Sequence, residues 1–311
     1  MDLSDAVIEY PLSVAARPSA FTSDRRQVDE IGLVGADPSV RVASLSGVDA
    51  AHLVLTDVDL SDCRFTGTFH LDQLRLEGRC TFAPAPVGLH RRGVLPIRWT
   101  PRRTLAEEHH WRAATGATGR TPAPSDSHPA ELPALAPVYR QLRKSLEDAK
   151  NEPDAADFYY GEMEMRRNDG GRPRAERALL TLYWAVSGYG LRASRALGWL
   201  LGAMAAAVLV MMLWSVPEHD PKPATAGHLT GRDISLTTDK PTPVNPSGPL
   251  HTRLTSERWE KSLRIVVNSV VFRSFGQDLT TTGTYTEMAS RLTEPVLLGL
   301  AALAIRGRIK R

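Results

Sequence analysis

Ala196 to Val216 constrains this chain more than any other stretch. It runs for 21 residues without a charge, and Glu218 is the first ionisable residue after it. At about 1.5 Å of rise per residue this is roughly 30 Å of helix, the thickness of a bilayer's hydrocarbon core. Trp199 and Trp214 stand near its two ends, where amphipathic rings favour the headgroup level. The competing reading is a buried helix of a large soluble domain, but such helices rarely stay uncharged all round for six turns. The run predicts a transmembrane helix over 196–216, with a large extramembrane part before it.

Charge orients that helix. The net charge of +3 is small but unevenly spread. Arg166, Arg167, Arg172, Arg174, Arg177, Arg192 and Arg195 precede the span, against Asp169 and Glu176 alone. In the 20 residues after Val216 the only Lys or Arg are Lys222 and Arg232. Lys and Arg excess marks the cytoplasmic flank, so the N-terminal part is expected inside a cell membrane. The same arginines are a nucleic-acid patch in other settings. Set against an apolar span they read as a juxtamembrane anchor, and no nucleic-acid partner is expected. Cys63 and Cys80 then sit on the reducing side, as thiols used for their small apolar volume. Met1 to Glu30 carries no signal-peptide h-region, which leaves the span as the insertion signal.

Residues 1–37 mix short apolar pieces with Pro11, Pro18 and Arg25-Arg26 and read as irregular. Across 38–83 a different rule holds. Leu45, Ala50, Leu55, Leu60 and Phe65 fall every five residues, and Ala43, Val48, Leu53, Val58 and Cys63 stand two before each. Neither a helical nor a simple strand period gives this spacing. It suits a square β-coil whose sides each turn one large and one small residue inward; a small sheet with plain alternation is the alternative. Near Thr68 the register slips by one, continuing as Phe69/Leu71, Leu74/Leu76 and Cys80/Phe82. The segment resembles the pentapeptide-repeat family, best at Thr56-Asp57-Val58-Asp59-Leu60 and Ser61-Asp62-Cys63-Arg64-Phe65. About two coils are too few to stand alone, so neighbouring sequence should complete the core.

In 84–137 the pattern Thr104-Leu105-Ala106-Glu107 reads as a capping box opening a helix over Leu105 to Ala114, followed by a linker from Gly116 to Pro137 too polar to fold. The helix carries Glu107, Glu108, His109 and His110, the one cluster with catalytic or metal-binding residue types. His109 and His110 are adjacent and diverge by about 100° around a helix, which does not suit a shared ion. No cofactor or metal is expected. In 138–192, Val138, Leu142, Leu146 and Ala149 mark one helix face, Pro153 starts a second helix, and the pair reads as a helical hairpin. The stretch from Tyr139 to Arg167 is similar to a single tetratricopeptide-type unit, an analogy of packing only. Ala175 to Val186, with Leu179, Leu182 and Trp184 among arginines, predicts an interfacial helix.

Beyond the span, 217–256 reads as an exposed, irregular outer loop, and 257–283 as an amphipathic helix and turn. A second span is expected over 284–305, although Glu287, Arg291 and Glu294 lie within it, provided those charges share a side that faces protein. Arg306, Arg308, Lys310 and Arg311 in the tail 306–311 then hold the C-terminus in the cytoplasm. Span, outer loop, short helix, Gly276-Gln277-Asp278 turn and second span together resemble the two-helix pore domain of tetrameric potassium channels. Only Gly276 and Asp278 answer to that family's filter, and Arg273 sets a cation beside it. The whole chain is similar to bacterial membrane proteins that join pentapeptide repeats to a degenerate channel-like region, a resemblance that implies no established activity.

The expected architecture is mixed: a short pentapeptide-repeat β-solenoid-like segment, a helical hairpin and two transmembrane helices. The expected function is a non-enzymatic membrane protein whose cytoplasmic module docks an unidentified protein partner. The bilayer is its other partner, and Gly198 with Gly202 offers a small-xxx-small face for self-association. The rival functions are an ion channel or channel-like subunit gated by the cytoplasmic part, with Gly276, Gln277 and Asp278 at the pore turn, and a membrane-tethered metal-dependent enzyme using Glu107, Glu108, His109 and His110.

Overall fold

The computed structural model describes residues 1–16, 22–23, 26–27, 39–86, 88–92, 95–99, 102–116, 120–124, 129–217, 224–230, 233–239, 243–246, 248–271 and 279–309. It is a mixed α/β chain in two compact units, Met1–Leu182 and Tyr183–Lys310.

Parallel ladders dominate the first part of unit 1. Leu12–Ala15 pairs with Leu53–Thr56, which pairs in turn with Arg75–Glu77. Val40–Arg41 pairs with Val58–Asp59, and single bridges join Asp2, Ser44 and Arg64, Asp49 and Phe69, and Asp59 and Thr81. The partner numbers explain the slip in the repeat. Ser44 meets Arg64 and Asp49 meets Phe69, an offset of twenty; Val54 meets Arg75, twenty-one; Asp59 meets Thr81, twenty-two. One residue is therefore added between Phe69 and Arg75, and another between Glu77 and Thr81. A left-handed residue lies in each interval, His70 with φ 49° and Gly78 with φ 64°, the backbone form that lets an extra residue turn a corner. A side chain at Gly78 would strike the Asp57 carboxylate, so only glycine fits there.

Most of the five-residue set points inward: Leu45, Val48, Ala50, Leu53, Leu55, Val58, Leu60, Cys63 and Phe65 are buried. Ala43 is the exception. It is exposed, and Val42 and Ser44 on either side fill the interior. Phe69, bridged to Asp49, is also exposed, at 61%. Residues 1–16, read as irregular, supply a pass of their own through the pairings of Asp2 and Leu12–Ala15.

Helices complete this core. Helix α1 is Ala106–Ala114, α2 Leu132–Asp148 and α3 Glu152–Asn168. Phe82 stacks edge-on against Phe158 of α3 at 4.8 Å, Phe158 meets Tyr139 of α2 at 5.5 Å, and Phe65 lies 6.3 Å from Phe82. The Ser145 hydroxyl donates to the Leu74 carbonyl. One buried cluster thus runs from Val14 to Met165. α2 and α3 form the expected hairpin, and Pro153 sits in the first turn of α3. They approach so closely at Gly161 that a Cβ there would lie 2.3 Å from the Tyr139 ring. Two sequence expectations fail in this region. The linker does not extend to Pro137, since α2 starts at Leu132 and buries Leu135 and Ala136, with Pro137 inside the helix. Ala149 is exposed at the C-cap of α2 rather than on its packed face.

Helix α4 spans Arg174–Ser187, with Leu179 and Leu182 exposed at 66% and 64%. In unit 2, Gly188, Tyr189 and Gly190 all take positive φ and turn the chain into helix α5, Ala193–Val210, which continues as one π-helical stretch to Ser215. Helix α6 is Ser256–Val271 and helix α7 Thr281–Ile309. Two helical stretches are long and apolar enough to cross a membrane, Ala193–Ser215 and Thr281–Arg306. The outer loop is not wholly irregular: Ala224–Thr230 and Asp233–Asp239 form an antiparallel hairpin, rich in the threonine that favours strands.

Candidate functional site

Helix α1 carries the chemistry-bearing cluster, and its start differs from the sequence reading. Thr104 does not cap it. Its hydroxyl donates to the Ala83 carbonyl and lies 2.8 Å from His109 Nε2, while Leu105 takes the N-cap position without a side-chain cap. The Glu107 carboxylate, instead of folding back to Thr104, accepts from residues more than forty positions away. Phe65 N–H donates to its Oε1 at 2.5 Å, Thr66 N–H at 2.9 Å and Thr66 Oγ1 at 3.2 Å.

The 100° step between neighbouring helix positions then sends the four residues to different surroundings. Glu108 enters the core. Arg102 Nη2 donates to its Oε1 at 2.5 Å, Arg112 Nε to the same oxygen at 2.7 Å, and the Tyr139 hydroxyl to its Oε2 at 2.5 Å. Arg112 also reaches Glu164 at 3.2 Å, and Arg102 lies over the Tyr160 ring at 5.3 Å. Burial alone would push the Glu108 carboxyl up, but Arg102 and Arg112 outweigh it and hold it well below the usual carboxylate range. Burial pushes the Tyr139 phenol far above its ordinary value, with Glu108 adding to the effect. His109 is buried against Thr104, and burial together with Arg120 lowers it to about 4. Arg120, from the segment read as linker, is itself brought down to about 10 by burial.

Glu107 and His110, one turn apart, face elsewhere. With Asp5, Ser46, Arg64 and Thr66 they line a cavity of about 430 Å³. Glu107 is 3% exposed, and its second oxygen, Oε2, has no hydrogen-bond partner among the described residues. Burial pushes its carboxyl up against the pull of the Phe65 and Thr66 N–H groups. Burial also lowers His110, with Arg64 adding to it. The passes of the β region thus contribute to one wall each: Asp5 from the first, Ser46 from the second, Arg64 and Thr66 from the third. Sequence reasoning missed Asp5, Ser46, Arg64 and Thr66, which come from separate passes of the chain; the repeat offset of about twenty is the one signal that aligns Ser46 with Thr66.

Both cysteines are buried free thiols, and burial raises each, most strongly Cys63. Among the described residues no three His, Cys, Asp or Glu side chains come together in a metal-holding arrangement. The proposed pore turn, Gly276, Gln277 and Asp278, lies outside the described residues.

Unit 2 has a polar feature of its own. α7 starts where α5 ends, with Thr280 N–H donating to the Ser215 carbonyl, and packs back along it. Gly283, Glu287, Ser290, Glu294, Leu297, Ala301 and Ala304 are buried or half-buried, at alternating steps of four and three, the seam of a paired helix. Glu287 pairs with Arg291 at 2.6 Å, and Glu294 is fully buried with neither carboxylate oxygen hydrogen-bonded among the described residues. At this same C-terminal end of α5, Arg258 donates to the carbonyls of Met212 and Val216 and Arg253 to that of Leu213, so cations meet the C-terminal carbonyls of that helix. Comparison with known protein families, with curated proteins and with solved structures finds no match to the chain.

Proposed function

We propose that this chain is a two-span membrane protein without a reaction of its own, whose cytoplasmic unit is an interaction module. One observation carries the reading. In α7 Glu287, Ser290 and Glu294 fall on the buried seam, while Tyr285, Met288, Leu292, Val296 and Leu303 are exposed at 56% or more. Such a surface is unfavourable in water and ordinary in lipid. Gly198 and Gly202 lie open on α5, where an added Cβ would meet no other element within 4 Å, beside exposed Trp199 and Leu201, which suits packing against a second copy. The parallel offsets near twenty, four times five, support a short square coil of pentapeptide type as the frame of unit 1. The arginines before α5 support a cytoplasmic N-terminal side and, with two crossings, a cytoplasmic C-terminus.

Reporters fused after Lys150, Thr238 and Arg311 test this; the expected pattern is inside, outside, inside. An outward C-terminus removes the second crossing. A channel-like subunit is the second reading, favoured because α6 packs on both α5 and α7, with Ile265 and Val266 buried against Ala207, Val208 and Met211. It requires ion flux from protein reconstituted in liposomes, and a flat record across monovalent cations ends it. The enzyme reading has less support, since Glu108 and His109 are engaged in the core away from the cavity that Glu107 and His110 line.

A further inference from the structure

We infer that the cavity lined by Asp5, Ser46, Arg64, Thr66, Glu107 and His110 is a binding site for a small zwitterion, a molecule of amino-acid size bearing both an ammonium and a carboxylate. The inference holds whichever way the spans are oriented, because every residue it uses belongs to unit 1.

The site is built before any ligand arrives. Glu107 is held by three donors on one oxygen, so its side chain cannot swing away, and the other oxygen is left buried without a donor. Buried acceptors are nearly always satisfied, and an orphan beside a cavity marks the place where a donor is to come. Arg64 is half-buried and makes no ion pair or side-chain hydrogen bond among the described residues, and the Asp5 carboxylate makes none either. Charges of both signs thus line one cavity with no ion pair between them among the described residues, and outside it Arg64 adds to the Ser4 hydrogen bonds in lowering the Asp2 carboxyl. Ion pairs formed within a protein would use them up; charges left apart across a cavity complement a ligand that carries both signs at its own spacing.

The backbone around them is fixed. Asp5 N–H donates to the Ser46 carbonyl at 2.8 Å, and Asp5 takes a left-handed φ of 58°, which turns its side chain over Gly47. A Cβ on Gly47 would come within 2.1 Å of the Asp5 carboxylate. The ammonium end of the ligand belongs at the acidic side chains of Glu107 and Asp5, both of which line the cavity. Its carboxylate end belongs at the Arg64 guanidinium, with the His110 imidazole as a neutral neighbour. The cavity volume of about 430 Å³ admits a molecule of this size with water to spare.

The test is titration calorimetry on the full chain in nanodiscs with glycine, L-alanine, L-glutamate and L-lysine, beside ethylamine and acetate as single-charge probes. At least one amino acid should bind, and both single-charge probes should bind about tenfold more weakly or not at all. R64A should weaken that amino acid by about tenfold or more, and E107Q, which keeps the acceptor for Phe65 and Thr66 but turns the free oxygen into an amide, should do the same. No heat from any amino acid up to about 20 mM overturns the inference. Acetate or ethylamine binding as tightly as the amino acids also overturns it, and so does unchanged binding in R64A. Arg64 is only half-buried, so R64A keeps the test decisive should E107Q fail to fold.

Discussion

Glu108 in unit 1 and Glu294 in unit 2 are both fully buried carboxylates, and the protein treats them in opposite ways. Glu108 receives two guanidinium groups and a phenol, and those guanidinium groups reach a second acid and an aromatic ring. Glu294 has no cation beside it among the described residues; its polar neighbour is the Ser290 hydroxyl, one turn earlier, with no hydrogen bond of full geometry between them. In a core formed from water, a buried charge is kept by surrounding it with opposite charge and hydrogen bonds. Unit 2 offers Glu294 no such set of charges, and places Glu287, Ser290 and Glu294 along the seam between helices. The contrast is the one expected if unit 2 folds in lipid, as proposed above.

The largest way to break that contrast is E108Q. It leaves Arg102 and Arg112 buried beside a neutral amide, and should cost about 3–5 kcal/mol of unit 1 stability. Thermal melting of the full chain in detergent, followed through Trp111, reads it; a midpoint shift under one or two degrees would refute the network's role. G161A comes next at about 1–3 kcal/mol, because its methyl must displace the Tyr139 ring that closes the hairpin. Y139F keeps the ring but removes the hydroxyl that accepts from Leu105 N–H and donates to Glu108, for about 1–2 kcal/mol. A double mutant with E108Q should be less than additive, since the two share one bond.

The pH dependence sharpens the same comparison. His109 is lowered from 6.5 to about 4, chiefly by burial, so between these values the unfolded chain binds a proton that the folded chain refuses. Its contribution is complete above pH 6.5 and is lost as pH falls toward 4. Glu107, raised above 4.5 by burial, acts with the opposite sign above that value and so within the same window; the measurement is therefore the difference between wild type and H109Q, whose stability curve should be flatter there. The smallest effect expected is from E294Q. It replaces an acid without an ionic partner by its neutral isostere, and should change detergent-solubilised stability by no more than about 0.5 kcal/mol. A loss as large as that of E108Q would mean that unit 2 does hold a charge at this position, and the contrast would fall.

Local spacing carried some of these features and not others. The five-residue rhythm identified the interior of the β region because successive parallel passes repeat the same in-out geometry at an offset near twenty, and its slip near Thr68 marked where a left-handed residue, His70, accompanies an added one. The exposed Ala43 and Phe69 depart from that rhythm. The capping box at Thr104 failed because both of its side chains found better partners: Glu107 the N–H groups of Phe65 and Thr66, Thr104 the Ala83 carbonyl. Nothing in the polar run before Pro137 announced the start of α2 at Leu132, since its turn is held by burial of Leu135 against the β region. The cluster on α1 was visible as residue types. Its division into a core pair and a cavity pair was not.

The sequence alone determined the two long apolar helices, the arginine bias before the first, the five-residue interior and the helical hairpin. Each rests on spacing along the chain, or on composition over a length set by the bilayer. Tertiary structure decided what the charged residues do. Glu107 takes its donors from Phe65 and Thr66, more than forty positions away, and Glu108 one of its three from Tyr139 on another helix, so a carboxylate's energy in a low-dielectric interior is fixed by neighbours that the fold brings up rather than by its own place in the chain.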